Sequence, residues 1–284
     1  MGNMKSSYIN QCKTSYPIEN RHRMYGMYAS SDILFENPNI DRVKNIKIYY
    51  PNEMILYPGK KYPLVLMVNG TGVEFPKYEP TFKHLSSWGF IVAGNDDPST
   101  ADGVSVINTL KYILDLNNSK DSIFHNKIDT EKIGLSGHSQ GGCGVYNAIT
   151  KQGEFSKYFN CAFASSATTK SLTEKFNLKP FEYESELVNI PIMIVCSKGN
   201  ADKAICPFEE TKSNFDKIKN VKKVLGARKN VDHGDMLVAH DAYMTAWFCY
   251  ILLNDEIAGK AFIGKDAEFL INNENWEDCE IENI

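Results

Sequence analysis

No apolar stretch in this sequence approaches the roughly 20 residues that cross a bilayer as a helix. There is no long basic run and the formal net charge is −4, so nothing offers the electrostatic footprint of a nucleic-acid-binding protein. No group of His, Cys and Asp residues has metal-ligand spacing, and neither a metal nor any other cofactor is expected. The glycines at 137–142 miss the G-x-G-x-x-G spacing of a dinucleotide fingerprint. Repeats, low-complexity segments and a domain linker are all missing, which predicts one domain over residues 1–284. Residues 1–17 are polar and lack the apolar core of a secretory signal, so the expectation is a cytoplasmic protein. The opening Met1-Gly2-Asn3-Met4-Lys5-Ser6 does fit the loose myristoylation pattern.

The 7 cysteines are odd in number and scattered, which suits neither a zinc site nor a disulfide framework. Cys143, Cys161, Cys196 and Cys249 sit inside apolar elements and read as small buried hydrophobes. Reduced thiols are expected. One pairing stays open, Cys196 with Cys206, across the loop that carries Asp202.

What is present is an alternation. Apolar runs at 43–50, 62–69, 89–95, 132–136, 160–165, 190–196 and 221–227 read as strands, several of them continuous as in a sheet buried on both faces. Helical patterns fill the gaps, at 77–88 and at 104–116, where Val106, Ile107, Leu110, Ile113 and Leu114 recur at 3–4 spacing. A long helix is expected over 235–253 and a further helical piece over 255–271. Strands alternating with helices predict an α/β fold with a mainly parallel, twisted sheet and helices on both faces. Residues up to about 40 read as an irregular lead-in, and 272–284 as an acidic tail anchored by Trp276. Residues 166–189 fit the alternation poorly; a structureless loop of that length is unusual, so a small cap is expected there.

The informative stretch is KIGLSGHSQGG at 132–142. An apolar strand runs into Gly137-His138-Ser139-Gln140-Gly141, and a helical pattern follows, the context of a nucleophile elbow. The bare G-x-S-x-G pattern arises by chance in about one such chain in ten. Its placement between strand and helix is what gives it weight.

In open α/β sheets ligands bind beyond the carboxyl ends of the strands. At those ends lie Asn69-Gly70-Thr71-Gly72, then Ser139, then Asp202, then His233. The order Ser–Asp–His suits a triad with Ser139 as nucleophile, His233 as base and Asp202 orienting the imidazole. Backbone N–H groups of Gln140 and Thr71 would hold the oxyanion. Among the 6 histidines, His138 is expected to point away from the serine, and His84, His125 and His240 to pack or hydrate. Asp232 and Asp235 stand too close to His233 in sequence to orient it; Asp235 suits the first turn of the next helix. Asp96 and Asp97 are the fallback acids.

These stretches resemble the α/β-hydrolase superfamily, and within it the branch of polyester hydrolases and bacterial cutinases, chlorophyllases and platelet-activating-factor acetylhydrolases. The resemblance runs through PLVLMVNGTG, LSSWGFIVAGND, KIGLSGHSQGG, IPIMIVCSKGNAD and NVDHGDML, and continues into the helical region at 246–263. It implies a serine esterase with Ser139, Asp202 and His233 as triad and Thr71 and Gln140 as oxyanion hole. Dienelactone hydrolases share the fold but use cysteine, where this chain has Ser139. A small-molecule ester is the expected substrate, in an apolar acyl pocket built from Phe75, Tyr78 and the aromatic-bearing 166–189 segment. Amide or thioester hydrolysis by the same residues, and a non-catalytic ligand-binding member of the fold, are the alternatives.

Overall fold

The computed structural model describes residues 13–284. The myristoylation-like pattern and Cys12 lie outside them. The strands are β1 (Ser30–Ile40), β2 (Val43–Pro51), β3 (Tyr62–Val68), β4 (Ile91–Asn95), β5 (Ile128–His138), β6 (Phe159–Ser165), β7 (Ile192–Ser197), β8 (Lys223–Arg228) and β9 (Trp276–Glu282). They form one 9-stranded sheet in the order β1-β2-β4-β3-β5-β6-β7-β8-β9. The run from β4 through β8 is parallel, and β1, β2 and β9 pair antiparallel at the margins.

The helices are α1 (Pro17–His22), α2 (Glu79–Ser87), α3 (Val104–Asn118), α4 (Gln140–Thr150), α5 (Lys170–Phe176), α6 (Asn200–Ile205), α7 (Phe208–Lys217), α8 (Met236–Ala239), α9 (Asp241–Leu253), α10 (Glu256–Gly259) and α11 (Glu268–Ile271). Among the described residues, no single helix is long and apolar enough to cross a membrane.

Alternation along each strand divides the core in two. Leu64, Leu66 and Val68 of β3, with Ala162, Ala164, Ile192 and Ile194 of the neighbouring strands, face α3, α4 and α7. Val65 and Met67, with Phe163, Met193 and Val195, face α1, α2 and α9. A strand covered on both faces needs apolar residues at every position, which is why β3, β4 and β7 read as unbroken apolar runs. The fold is that of an α/β hydrolase, as expected.

Four local expectations are corrected. The lead-in contains α1 and β1, an edge strand that pairs with β2 and breaks register between Glu36 and Ile40, where Asn37 and Asn39 take positive φ. Such a bulge blunts an exposed edge. The acidic tail is β9, the opposite edge, whose Glu280 and Glu282 pair with Lys212 and Lys223 at 3.1 Å. The helix expected over 235–253 bends by 50° between α8 and α9. There His240 turns its ring inward to the Ser165 hydroxyl, 2.8 Å away. The piece at 255–271 holds only the short α10 and α11. Residues 166–189 carry α5 and two 3-10 turns. Cys196 and Cys206 are both buried and both free, and burial raises their thiol pKa values.

Candidate active site

Ser139 sits between β5 and α4 with φ 59° and ψ −125°, a conformation L residues rarely hold. The surroundings impose it. A Cβ at Gly137 would lie under 3.0 Å from the Gly141 carbonyl, and one at Gly141 under 3.0 Å from the Val68 and Asn69 carbonyls. Strand and helix can approach this closely only through glycine. The Ser139 N–H donates to the Ser165 carbonyl at 2.9 Å, which ties the turn to β6. The hydroxyl opens on a cavity of about 430 Å³ that Thr71, His138 and His233 also line.

Asp202 lies in α6, just past β7, and is fully buried. Its Oδ1 is 2.6 Å from His233 Nδ1. Its Oδ2 accepts from the Ser197 N–H and hydroxyl, both at 2.7 Å, and from the Ser166 hydroxyl at 2.8 Å. Burial pushes the carboxyl pKa up, but the His233 and Ser197 hydrogen bonds outweigh it and hold the group at about 2. A carboxylate accepts only, so the proton between the two residues sits on His233 Nδ1, the tautomer whose neutral ring presents Nε2 as acceptor. Among the described residues no hydrogen bond joins the Ser139 hydroxyl to the His233 ring; such pairs commonly tighten only around the reacting substrate.

The turn after β3 is pinned from three sides. The Gly70 N–H donates to the Tyr78 hydroxyl at 2.7 Å, Thr100 Oγ1 to the Asn69 carbonyl at 2.6 Å, and Asn69 Nδ2 to the Asn95 carbonyl at 2.6 Å. Thr71 projects from it at the cavity wall. Gln140 is the first residue of α4, so its N–H belongs to the donors a helix leaves without an intrahelical partner. Its side chain turns away to the Pro98 carbonyl, 2.8 Å.

Several residues have roles the sequence did not disclose. His138 does not point away: its ring centroid is 4.5 Å from that of His233, and its Nε2–H donates to the His233 carbonyl at 2.8 Å. Burial, with His233 and His240 nearby, lowers its pKa to about 3, so it is neutral. Asp232 leaves the His233 ring alone and holds backbone instead. Its carboxylate accepts from the N–H groups of His233 at 2.8 Å, Ala201 at 3.0 Å and Asp202 at 3.2 Å. One side chain thus joins the acid loop to the histidine loop. Asp235 completes the turn by accepting from the Asp232 N–H at 3.3 Å, in keeping with a first-turn acid. Ser166 directly follows β6 and Ser197 ends β7, positions that would have marked them. The fallback acids lie elsewhere: Asp97 pairs with Arg42 at 2.7 Å, and Asp96 accepts from the Lys44 and Asn45 N–H groups.

Of the expected pocket residues, Tyr78 lines the cavity. Phe75 does not; it is buried in the core facing α2 and α9. The aromatic wall comes from Phe181, while Tyr183 stacks on Tyr146 of α4 at 4.2 Å and Phe176 is exposed.

A mainly parallel sheet, with Ser139, Asp202 and His233 past the carboxyl ends of β5, β7 and β8, is the architecture of an α/β hydrolase, and the carboxyl edge of the strands is the candidate site. A family model described as PETase, PET hydrolase-like, matches residues 43–257, well over half of the chain, and the chain belongs to that family. The matched span begins at β2 and ends beyond α9, so the two edge strands fall outside it. Ester hydrolysis is the reaction class of the family. A comparison with curated proteins gave no match.

Proposed function

We propose that this protein is a serine esterase that cleaves carboxylic esters through an acyl-enzyme on Ser139. The observation that carries the reading is the 2.6 Å bond from His233 Nδ1 to a buried, ionised Asp202, with the His233 ring and Ser139 on one cavity. His233 Nε2 takes the Ser139 proton as Oγ attacks the ester carbonyl carbon. The carbonyl oxygen becomes an oxyanion, and the Gln140 and Thr71 N–H groups stabilise it. Collapse breaks the bond to the alkoxy oxygen, which leaves as alcohol with the proton from His233. Water then attacks the acyl carbon, His233 takes its proton, and collapse releases the acid and returns that proton to Ser139. Asp202 stays ionised throughout, fixing the tautomer and stabilising the imidazolium.

Each oxyanion donor is worth about 3 kcal/mol of barrier, or roughly a hundredfold in rate. The test is hydrolysis of p-nitrophenyl butanoate by wild type and Ser139→Ala. The substitution should abolish turnover and leave the thermal midpoint nearly unchanged. A Ser139→Ala protein that retains turnover removes the reading.

A further inference from the structure

We infer that the segment after β6 closes one end of the Ser139 cavity, making a blind pocket for a single unbranched aliphatic acyl chain with Phe181 as its end wall. The inference rests on the proposed esterase reading and adds the substrate class. Leu172, Leu178 and Phe181, all from this segment, line the cavity together with Val73, Ile205 and Leu237. Apart from the reacting groups the lining is mostly hydrocarbon, which suits an alkyl chain.

Thr168 and Phe181 line this cavity and also a second one, of about 350 Å³. The second has the opposite chemistry: Lys151, Lys170, Lys217, Glu174, Glu182 and Glu186 stand around it. Phe181 is therefore a partition with hydrocarbon on one side and charge on the other. An alkyl chain gains by advancing up to the ring and gains nothing beyond it.

The partition is also anchored. On one side of Phe181 the Pro180 carbonyl accepts from Asn147 at 3.3 Å; on the other the Glu182 carbonyl accepts from Lys151 Nζ at 2.9 Å. Tyr183 stacks on Tyr146. All of these contacts fall on or just after α4, the helix that follows Ser139, so the wall is tied to the element next to the nucleophile. The Phe181 N–H bonds to the Leu178 carbonyl at 2.9 Å, and the Leu178 N–H to the Thr173 carbonyl at 2.8 Å. A closed end on this scale, near the lower limit of ligand-sized cavities, admits a chain terminus and stops a chain that must run through. The acyl group is thus terminal, as in a simple fatty ester, rather than an internal unit of a polyester.

The test is kcat/KM for a series of straight-chain p-nitrophenyl esters, from acetate to dodecanoate, with wild type, Phe181→Ala and Phe181→Trp. Below the wall, each added methylene should raise wild-type kcat/KM about fourfold, followed by a fall once the chain meets Phe181. In Phe181→Ala the ratio of long-chain to short-chain kcat/KM should rise by about tenfold or more. In Phe181→Trp the optimum should move to shorter chains, and this variant decides the matter if Phe181→Ala does not fold. Turnover with no dependence on chain length, or an optimum that neither variant moves, overturns the inference and leaves the esterase reading standing. No turnover of any ester, with Ser139 inert to a fluorophosphonate, removes both.

Discussion

Replacing Asp232 with Ala should damage turnover far more than its place beside the site, off the His233 ring, suggests. Among the described residues this carboxylate is the one side chain that holds the backbones of Ala201, Asp202 and His233 together, at 2.8–3.2 Å. It fits so closely that a Cβ on Gly199 would meet its carboxyl carbon inside 3.0 Å. Hydrogen bonds to a charged group contribute about 1.5–3 kcal/mol each. This carboxylate is partly solvent-exposed, so solvent screening reduces the total to about 1–2 kcal/mol of stability. At about 2–4 °C per kcal/mol for a chain near this size, the midpoint should fall by roughly 2–8 °C. Turnover depends on something else, the relative placement of the acid and the histidine. A displacement on the order of 1 Å costs up to about a hundredfold, so kcat should drop by about 10- to 100-fold while KM stays within about twofold. Asp232→Asn keeps one acceptor oxygen and should fall between. Steady-state kinetics on p-nitrophenyl butanoate with a thermal melt reads both effects. A kcat within about twofold of wild type in a folded Asp232→Ala protein would refute the clamp.

Three other outcomes are expected. Asp202→Asn should lower kcat by about 10⁴-fold, because an amide donating to Nδ1 selects the wrong imidazole tautomer; a near-wild-type rate would mean that another acid orients His233. Gly141→Ala should cost about 3 kcal/mol or more in denaturant unfolding, since its methyl has only backbone oxygen to displace; an unchanged midpoint would show that the elbow can relax. Stability should fall in mild acid. Burial lowers the pKa of His138 and of His240 to about 3, from 6.5. The unfolded chain then binds more protons than the folded one between those values, and stability is lost as pH falls from 6.5 toward 3. At pH 5 the two together account for a loss of a few kcal/mol. His84 works against this. Burial lowers its pKa but Asp241, 2.5 Å away, raises it above 6.5, so its contribution is present in acid and lost as pH rises. Urea midpoints that stay flat from pH 7.5 to 5 would contradict the balance.

The parallel centre of the sheet was legible because a strand buried on both faces must be apolar throughout. The edges were not, for the same physical reason: β1 and β9 face solvent, and a bulge and charged side chains protect them, so one reads as an irregular lead-in and the other as an acidic tail. The bend at His240 was hidden because α9 is buried almost all round, and an evenly apolar helix has no stripe whose phase would mark a break. Ser139, Asp202 and His233 could be read because each lies just past a strand end, where topology brings distant residues together. The direction of the His138 ring depends on where the His233 loop lies, which no local pattern encodes. Phe75 and Phe181 are equally apolar in sequence; only the packing of the segment after β6 decides which of them meets the cavity.

The central claim is that Ser139 carries an activated hydroxyl. The most direct measurement is intact-protein mass spectrometry after treatment with a fluorophosphonate probe, followed by mapping of the modified peptide. A single adduct on Ser139 is expected, lost in Ser139→Ala and much slowed in His233→Ala. Folded wild-type protein that stays unlabelled, or that carries the adduct on another residue, would contradict it.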